Sequence, residues 1–205
     1  MANEITRLLP FRQYDENDVI NFYSLDGITG SAGTVVQVSS ADLNSDPVTY
    51  VNRGDAYLNT LGDALSQFPA VPHKVSVVTG TGASVKPLGI MLRDVRNLDE
   101  NGESLLYYNQ KKEELQAVVS GEAVPIATKG LFTLNVNGLA GGVAPAINSL
   151  AVPSANGTLT GVPVATAVQA QKDAAVGKFI ATGSRSGGFS QDVFSGSFAI
   201  LKLEL

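Results

Sequence analysis

The amino-acid sequence predicts a mainly β protein with one or two short helices and an extended N-terminal arm. Its 205 residues include 21 Gly and 9 Pro and no Trp, a composition that suits a fold with many turns. Several short runs alternate apolar and polar residues, which is the period of a strand with one buried face. Two Asn-Gly pairs, at 101–102 and 156–157, stand beside such runs and are typical of tight turns.

The arm is predicted over residues 1–26, and the compact portion over 27–205. Apolar and aromatic side chains lie among charged ones in this segment without a sustained period of 2 or 3.6. The segment either lies extended across its own domain or docks onto another subunit or partner. The sequence alone leaves both alternatives open.

The first half of the compact portion is predicted to alternate strands with one helix. Residues 34–40 form the first strand, and residues 55–69 form a helix with leucines at helical spacing and Asp55 as the cap. Strands follow over 74–79 and 88–96. Asn101 and Gly102 then predict a hairpin whose return strand covers residues 104–108.

The second half begins with a predicted short helix over 109–119, capped by Asn109. Residues 122–136 predict two strands on either side of a turn at Lys129 and Gly130. A closing hairpin is expected from 177–183 and 196–205.

A stretch of 42 residues, 130–171, contains no charged side chain. Its content of Leu, Val, Ile and Phe is too high for a flexible linker, and its Gly and Pro are too frequent for a helix. Such a surface would associate with other surfaces if it stayed open to water. It is therefore either wrapped inside the domain, where it could form an inserted subdomain, or covered by a neighbour.

The inventory of catalytic residues is small, and we predict that the protein is not an enzyme and carries no cofactor or metal. It has no Cys and a single histidine, His73, without a GxSxG turn for it to serve. Residues 42–53 begin like a calcium loop, but Pro47 and Arg53 stand where that loop needs Gly and Glu. Residues 79–89 lack both phosphate-loop patterns.

Charge and hydropathy argue against two further classes of partner, nucleic acids and membranes. The net charge is -5 and no cluster of Lys and Arg is present, which argues against nucleic acid as the partner. No window reaches the ~18 apolar residues of a membrane helix, and the first residues lack the pattern of a signal peptide. We therefore expect no membrane partner and synthesis in the cytoplasm.

Five stretches carry a family resemblance that covers nearly the whole chain. They are ITRLLPFRQYDENDVINFYSLDG, VSVVTGTGASVKPLGIMLRDVRNLDENGESLLYY, SGEAVPIATKGLFTLNV, VGKFIATGS and FAILKLEL. In this order they resemble the structural cement, or head decoration, proteins of tailed bacteriophages. The most specific pieces are PLGIMLRDVRNLDENGE and SGEAVPIATKG.

The resemblance implies a compact β-barrel or β-sandwich that binds the outer surface of an icosahedral phage head. Its partner would be the phage major capsid protein, whose subunits it would bridge, and it would form a homo-oligomer, with a trimer favoured. The expected location is the outside of the virion capsid, after synthesis in the host cytoplasm. The alternatives are a virion fibre or host-recognition module, a β-fold carbohydrate-active virion enzyme, and a cellular β-rich assembly protein.

The arm supplies the candidate contacts with capsid or sister subunits, because aromatic and large apolar groups are favoured anchors at interfaces. Deleting residues 1–26 is accordingly expected to weaken capsid binding and to leave the β domain folded. The candidate contact residues are Ile5, Leu8, Leu9, Phe11, Tyr14, Phe22 and Tyr23.

Overall fold

A computed structural model describes residues 7–40, 73–80, 85–185 and 196–205. The chain is mainly β, as predicted. Two α-helices lie in the described part, α1 (Asn109–Glu114) and α2 (Gln169–Asp173). The strands are β1 (Leu8–Gln13), β2 (Val19–Ile20), β3 (Ser24–Leu25), β4 (Val35–Ser40), β5 (Lys74–Val77), β6 (Pro87–Met91), β7 (Asp94–Val95), β8 (Ala117–Val118), β9 (Ile126–Ala127), β10 (Lys129–Asn135), β11 (Leu150–Pro153), β12 (Leu159–Val162), β13 (Gly177–Arg185) and β14 (Gly196–Glu204).

Most of these strands form two six-stranded sheets. Sheet A has the order β1-β10-β14-β13-β11-β12, and its neighbouring strands are antiparallel. Sheet B has the order β2-β9-β6-β4-β5-β3, and only its β3–β5 pair is parallel. A small parallel pair, β7 and β8, lies outside both sheets.

The two sheets share one hydrophobic core. Phe132, Phe179 and Leu201 of sheet A pack in the same buried cluster as Val35 and Ile90 of sheet B. Phe132 and Leu134 project to the same side of β10 because alternate residues of a strand face the same way. The predicted compact β fold is thus built by two sheets that bury their facing sides against each other.

The N-terminal segment is part of this body. The strand β1 forms an edge of sheet A beside β10, whereas β2 and β3 form the two edges of sheet B. Arg7 Nη1 donates to Thr34 Oγ1 at 3.0 Å and to the carbonyl oxygen of Asn156 at 2.8 Å. Of the two alternatives for residues 1–26, the described residues 7–26 therefore adopt the first, an extended path across their own domain.

This placement overturns the expected effect of a truncation. Deletion of residues 1–26 would remove three strands from two sheets, together with the core side chain of Leu8. The deletion would thus expose apolar surface of both sheets to water. The loss of unfolding free energy should be far larger than for deletion of an arm that packs against nothing. The truncated chain is therefore expected to be unfolded, and its loss of capsid binding would not identify the arm as the contact.

The chain passes directly from sheet B to sheet A at Thr128, between β9 and β10. The predicted turn at Lys129 and Gly130 is wrong, because both residues belong to β10. Gly130 has φ +136°, and a Cβ there would lie 2.7 Å from the carbonyl oxygen of Gln13. Gly130 therefore permits the close approach of β1 and β10 rather than a reversal of the chain.

The predicted strands over 34–40, 74–79 and 88–96 correspond to β4, β5, and β6 with β7. The closing hairpin is β13 and β14, and β11 and β12 meet at Asn156 and Gly157, whose φ angles of 57° and 67° suit a tight hairpin turn. These strands and β10 place much of the charge-free stretch within sheet A rather than in a separate inserted unit. The helix predicted over 55–69 lies outside the described residues.

Two predictions around residue 100 are wrong. Residues 104–108 do not form a return strand, because one bridge between Leu98 and Ser104 is followed by turns. The Asp99 carboxylate accepts hydrogen bonds at 2.8 Å from the backbone N–H groups of Glu103 and Asn101, which close the loop locally and lower the pKa of Asp99. The helix cap also differs, since Tyr108 occupies the N-cap of α1 and makes no side-chain capping bond.

Candidate interaction surfaces

The predicted contact residues in β1 point in different directions. Leu8 is 5% exposed and belongs to the core shared by the sheets, so it stabilises the fold and is not available to a partner. Leu9 is also buried, whereas Phe11 is 57% exposed. Ile5 lies outside the described residues.

Leu9 and Phe11 line an apolar groove of about 420 Å³ on the outer side of sheet A. Pro10, Thr133 and Ile200 also contribute to it. Thr133 pairs with Ile200 across β10 and β14, and its position alternates with the core residue Phe132. Sheet A therefore carries apolar side chains on both faces at this point. Phe11 lies on the face that is turned away from the core.

Tyr14, Phe22 and Tyr23 are the remaining predicted contacts. The Tyr14 ring stacks on Phe132 with 5.7 Å between ring centroids, and Tyr14 is still 41% exposed. Phe22 is exposed to a similar degree, while Tyr23 is partly buried against the second apolar cluster of sheet B. Tyr14 and Phe22 can thus contact a partner, and Tyr23 is mainly a packing residue.

His73 is held by this aromatic group. Its ring stacks on Phe22 with 4.4 Å between centroids and meets Tyr23 edge to face, and it is 1% exposed. Neither ring nitrogen has a hydrogen-bond partner among the residues that the structure describes, and the imidazole packs against the two aromatic rings.

The charge-free stretch contributes a second exposed apolar surface. Leu150 at the start of β11 pairs with Val162 at the end of β12, so the segments before β11 and after β12 emerge at the same end of this hairpin. Four of their apolar side chains are at least half exposed, and we call them the hairpin-end patch: Val143, Ile147, Val164 and Val168.

Part of the stretch adopts the first expected solution, burial inside the domain. Phe132, Leu134 and Leu159 are buried in the core, which removes much of its apolar surface from water, while the hairpin-end patch stays outside. Sequence reasoning found the stretch through its lack of charge but did not single out the four exposed residues. The available signal was their place in the two connecting segments that flank the β11–β12 hairpin.

Comparisons with protein-family models, curated proteins and solved structures find no match. Among the described residues, no group of three or more His, Asp or Glu side chains is placed to hold a metal ion, and no helix is long and apolar enough to cross a membrane.

Proposed function

We propose that this protein is a capsid cement, or decoration, protein that binds the outer surface of an icosahedral phage head and stabilises contacts between major capsid subunits. The observation that carries the proposal is the hairpin-end patch, an uncharged apolar surface that the core does not require. The family resemblance of the five quoted stretches supplies the identity of the partner.

The patch suits such a contact physically. The centres of interfaces are depleted in charged residues, and no residue from 130 to 171 is charged. Valine and isoleucine side chains are branched at Cβ and have few rotamers, so little side-chain entropy is lost when they are covered. Phe11 adds an exposed aromatic group on sheet A.

The proposal includes a homo-oligomer on the capsid, with a trimer favoured. Identical apolar patches on three copies can close into a ring around an axis, which covers them and prevents endless association. The phage major capsid protein is the second partner, and the location is the outer surface of the virion.

Binding to heads that lack this protein tests the proposal. In co-sedimentation with such heads, Val164→Lys combined with Val168→Lys should weaken binding at least about tenfold, because lysine amines would be desolvated at the contact. Both valines are exposed, so the unfolding midpoint should stay unchanged. The matched control is Val38→Lys, an exposed valine on β4 of sheet B, which should bind normally.

Cryo-electron microscopy of virions gives the direct readout. Density for this chain outside the shell and across capsid subunits is the expected result. Density in the tail or a fibre, or full head binding by the double lysine variant, would refute the cement role as proposed here.

A further inference from the structure

A polar groove of about 900 Å³ lies beside the segment that joins β1 to β2, and no residue of the hairpin-end patch lines it. Its other walls come from the residues after β6, from the end of α1 with the connection to β8, and from the segment before β9. Its size is at the upper end of the range for ligand sites, which suits an extended ligand rather than a single small ring. Its lining includes two arginines and two glutamates, Arg12, Arg93, Glu16 and Glu113, together with Asn21 and Gln116.

Arg12 has unused hydrogen-bonding capacity in this groove. Its Nε donates to the carbonyl oxygen of Leu9 at 3.2 Å, and within the described part of the chain its two Nη groups have no partner. The guanidinium is about half buried, and burial lowers the pKa of Arg12. A partly desolvated donor group of this kind gains from a ligand that supplies acceptors.

The opposite wall is fixed by an ion pair and by a strained residue. Arg93 Nη1 lies 3.1 Å and 3.3 Å from the two carboxylate oxygens of Glu113. Gln116 follows α1 with φ +49°, a left-handed conformation that costs a residue with a Cβ of order 1 kcal/mol or more. This conformation ends α1 and sets a solvent-exposed amide at the groove.

The charges of the lining select the class of ligand. Arg12 and Arg93 are balanced by Glu16 and Glu113, so an anion meets two carboxylates and a cation meets two guanidinium groups. Hydroxyl groups both donate and accept hydrogen bonds, and therefore match a lining that mixes Arg donors, Glu acceptors and the amides of Asn and Gln. These side chains form no deep apolar pocket that could hold the anchor residues of a peptide.

We propose that this groove binds an uncharged oligosaccharide. The guanidinium of Arg12 and the amides of Asn21 and Gln116 bond to its hydroxyl groups. The exposed part of the Tyr14 ring covers the apolar face of one sugar ring, since the ring is already held from beneath by Phe132. This inference concerns a site separate from the capsid contact and does not depend on the proposed function.

The test uses the whole chain and a panel of neutral hexasaccharides built from glucose, mannose, galactose or N-acetylglucosamine. Amide chemical shifts of the isotope-labelled protein report both affinity and location. We expect at least one probe to shift the amides of Asn21, Gln116 and their neighbours at millimolar concentration. Trigalacturonate and a hexaglutamate peptide serve as anionic probes and should leave these amides unchanged.

Two variants separate binding from folding. Arg12→Met keeps much of the apolar stem and should weaken binding about tenfold, as expected for loss of charge-assisted bonds. Arg185→Met, an exposed arginine outside the groove, is the matched control and should bind normally. Gln116→Gly should weaken binding several-fold without lowering the unfolding midpoint, because glycine relieves the left-handed strain.

The inference is overturned if none of the neutral probes shifts the groove amides, if the shifts map elsewhere, or if only the anionic probes bind there. Equal binding by wild type, Arg12→Met and Gln116→Gly would overturn it as well, because the ligand would then not contact this lining.

Discussion

Substitution by alanine should affect stability very differently at two residues of β1. Leu8→Ala removes a side chain that is 5% exposed and packs in the core shared by the sheets, so the transfer and cavity costs should total about 3 kcal/mol of unfolding free energy. Phe11→Ala removes a larger side chain that is 57% exposed, and it should change stability by no more than about 0.5 kcal/mol.

Urea unfolding followed by circular dichroism measures both variants. A loss of about 3 kcal/mol corresponds to a fall in Tm of about 6–12 °C for a chain of this size, with an unchanged dependence of the unfolding free energy on urea. Head binding is the second readout. Leu8→Ala should bind normally at a temperature where it is folded, whereas Phe11→Ala should bind more weakly if the groove of sheet A contacts the capsid.

An unfolding midpoint for Leu8→Ala equal to that of wild type would refute the reasoning, because β1 would then not be part of the folded body. A loss of stability from Phe11→Ala as large as that from Leu8→Ala would also refute it. In that case the outward position of Phe11 would be wrong.

Three further predictions concern stability. Glu122→Gln should cost about 2 kcal/mol in urea unfolding, because the largely buried Lys112 Nζ, 2.9 Å from the Glu122 carboxylate, loses the negative charge of Glu122. The combined Lys112→Met and Glu122→Leu variant should recover most of this loss. Gln116→Gly should raise the unfolding free energy by about 1 kcal/mol in the same assay, and a decrease would contradict the strain at φ +49°. The hydrogen bonds from the Glu103 and Asn101 amides should keep the Asp99 carboxylate ionised below its ordinary pKa of 3.8. Because the pKa of Asp99 is lower in the folded state, the stabilisation is present above that value and is lost as pH falls below it. The chemical shift of the Glu103 amide should report this titration, and Asp99→Asn should abolish the pH dependence of that shift.

The local part of the fold could be predicted from the sequence. Alternating apolar residues identified β4, β10 and β14, and Asn156 with Gly157 identified the β11–β12 turn, because strand period and turn conformation depend on neighbouring residues. Pairing between distant strands could not be predicted in this way. Nothing local near Thr128 indicates that β9 and β10 belong to different sheets.

The candidate surfaces could be predicted only in part, because they too depend on contacts between distant segments. No sustained strand period marks β1 in the sequence, so its buried and exposed faces were not assigned, and the core residue Leu8 and the exposed Phe11 were both predicted as contacts. The polar groove was missed because Arg12, Arg93 and Gln116 come from separate segments and each is an ordinary surface residue by type. Only the packing of the two sheets brings them to one place.

The position of β14 has a consequence for synthesis. It lies between β10 and β13, so the pair β1-β10 cannot be joined to the three strands β13-β11-β12 until residues 196–204 have left the ribosome. Contacts between residues so distant in sequence slow folding, and the unpaired apolar edge of β10 stays open to other nascent chains meanwhile. Yield of native protein should therefore fall with expression temperature and rate more steeply than its equilibrium stability would suggest.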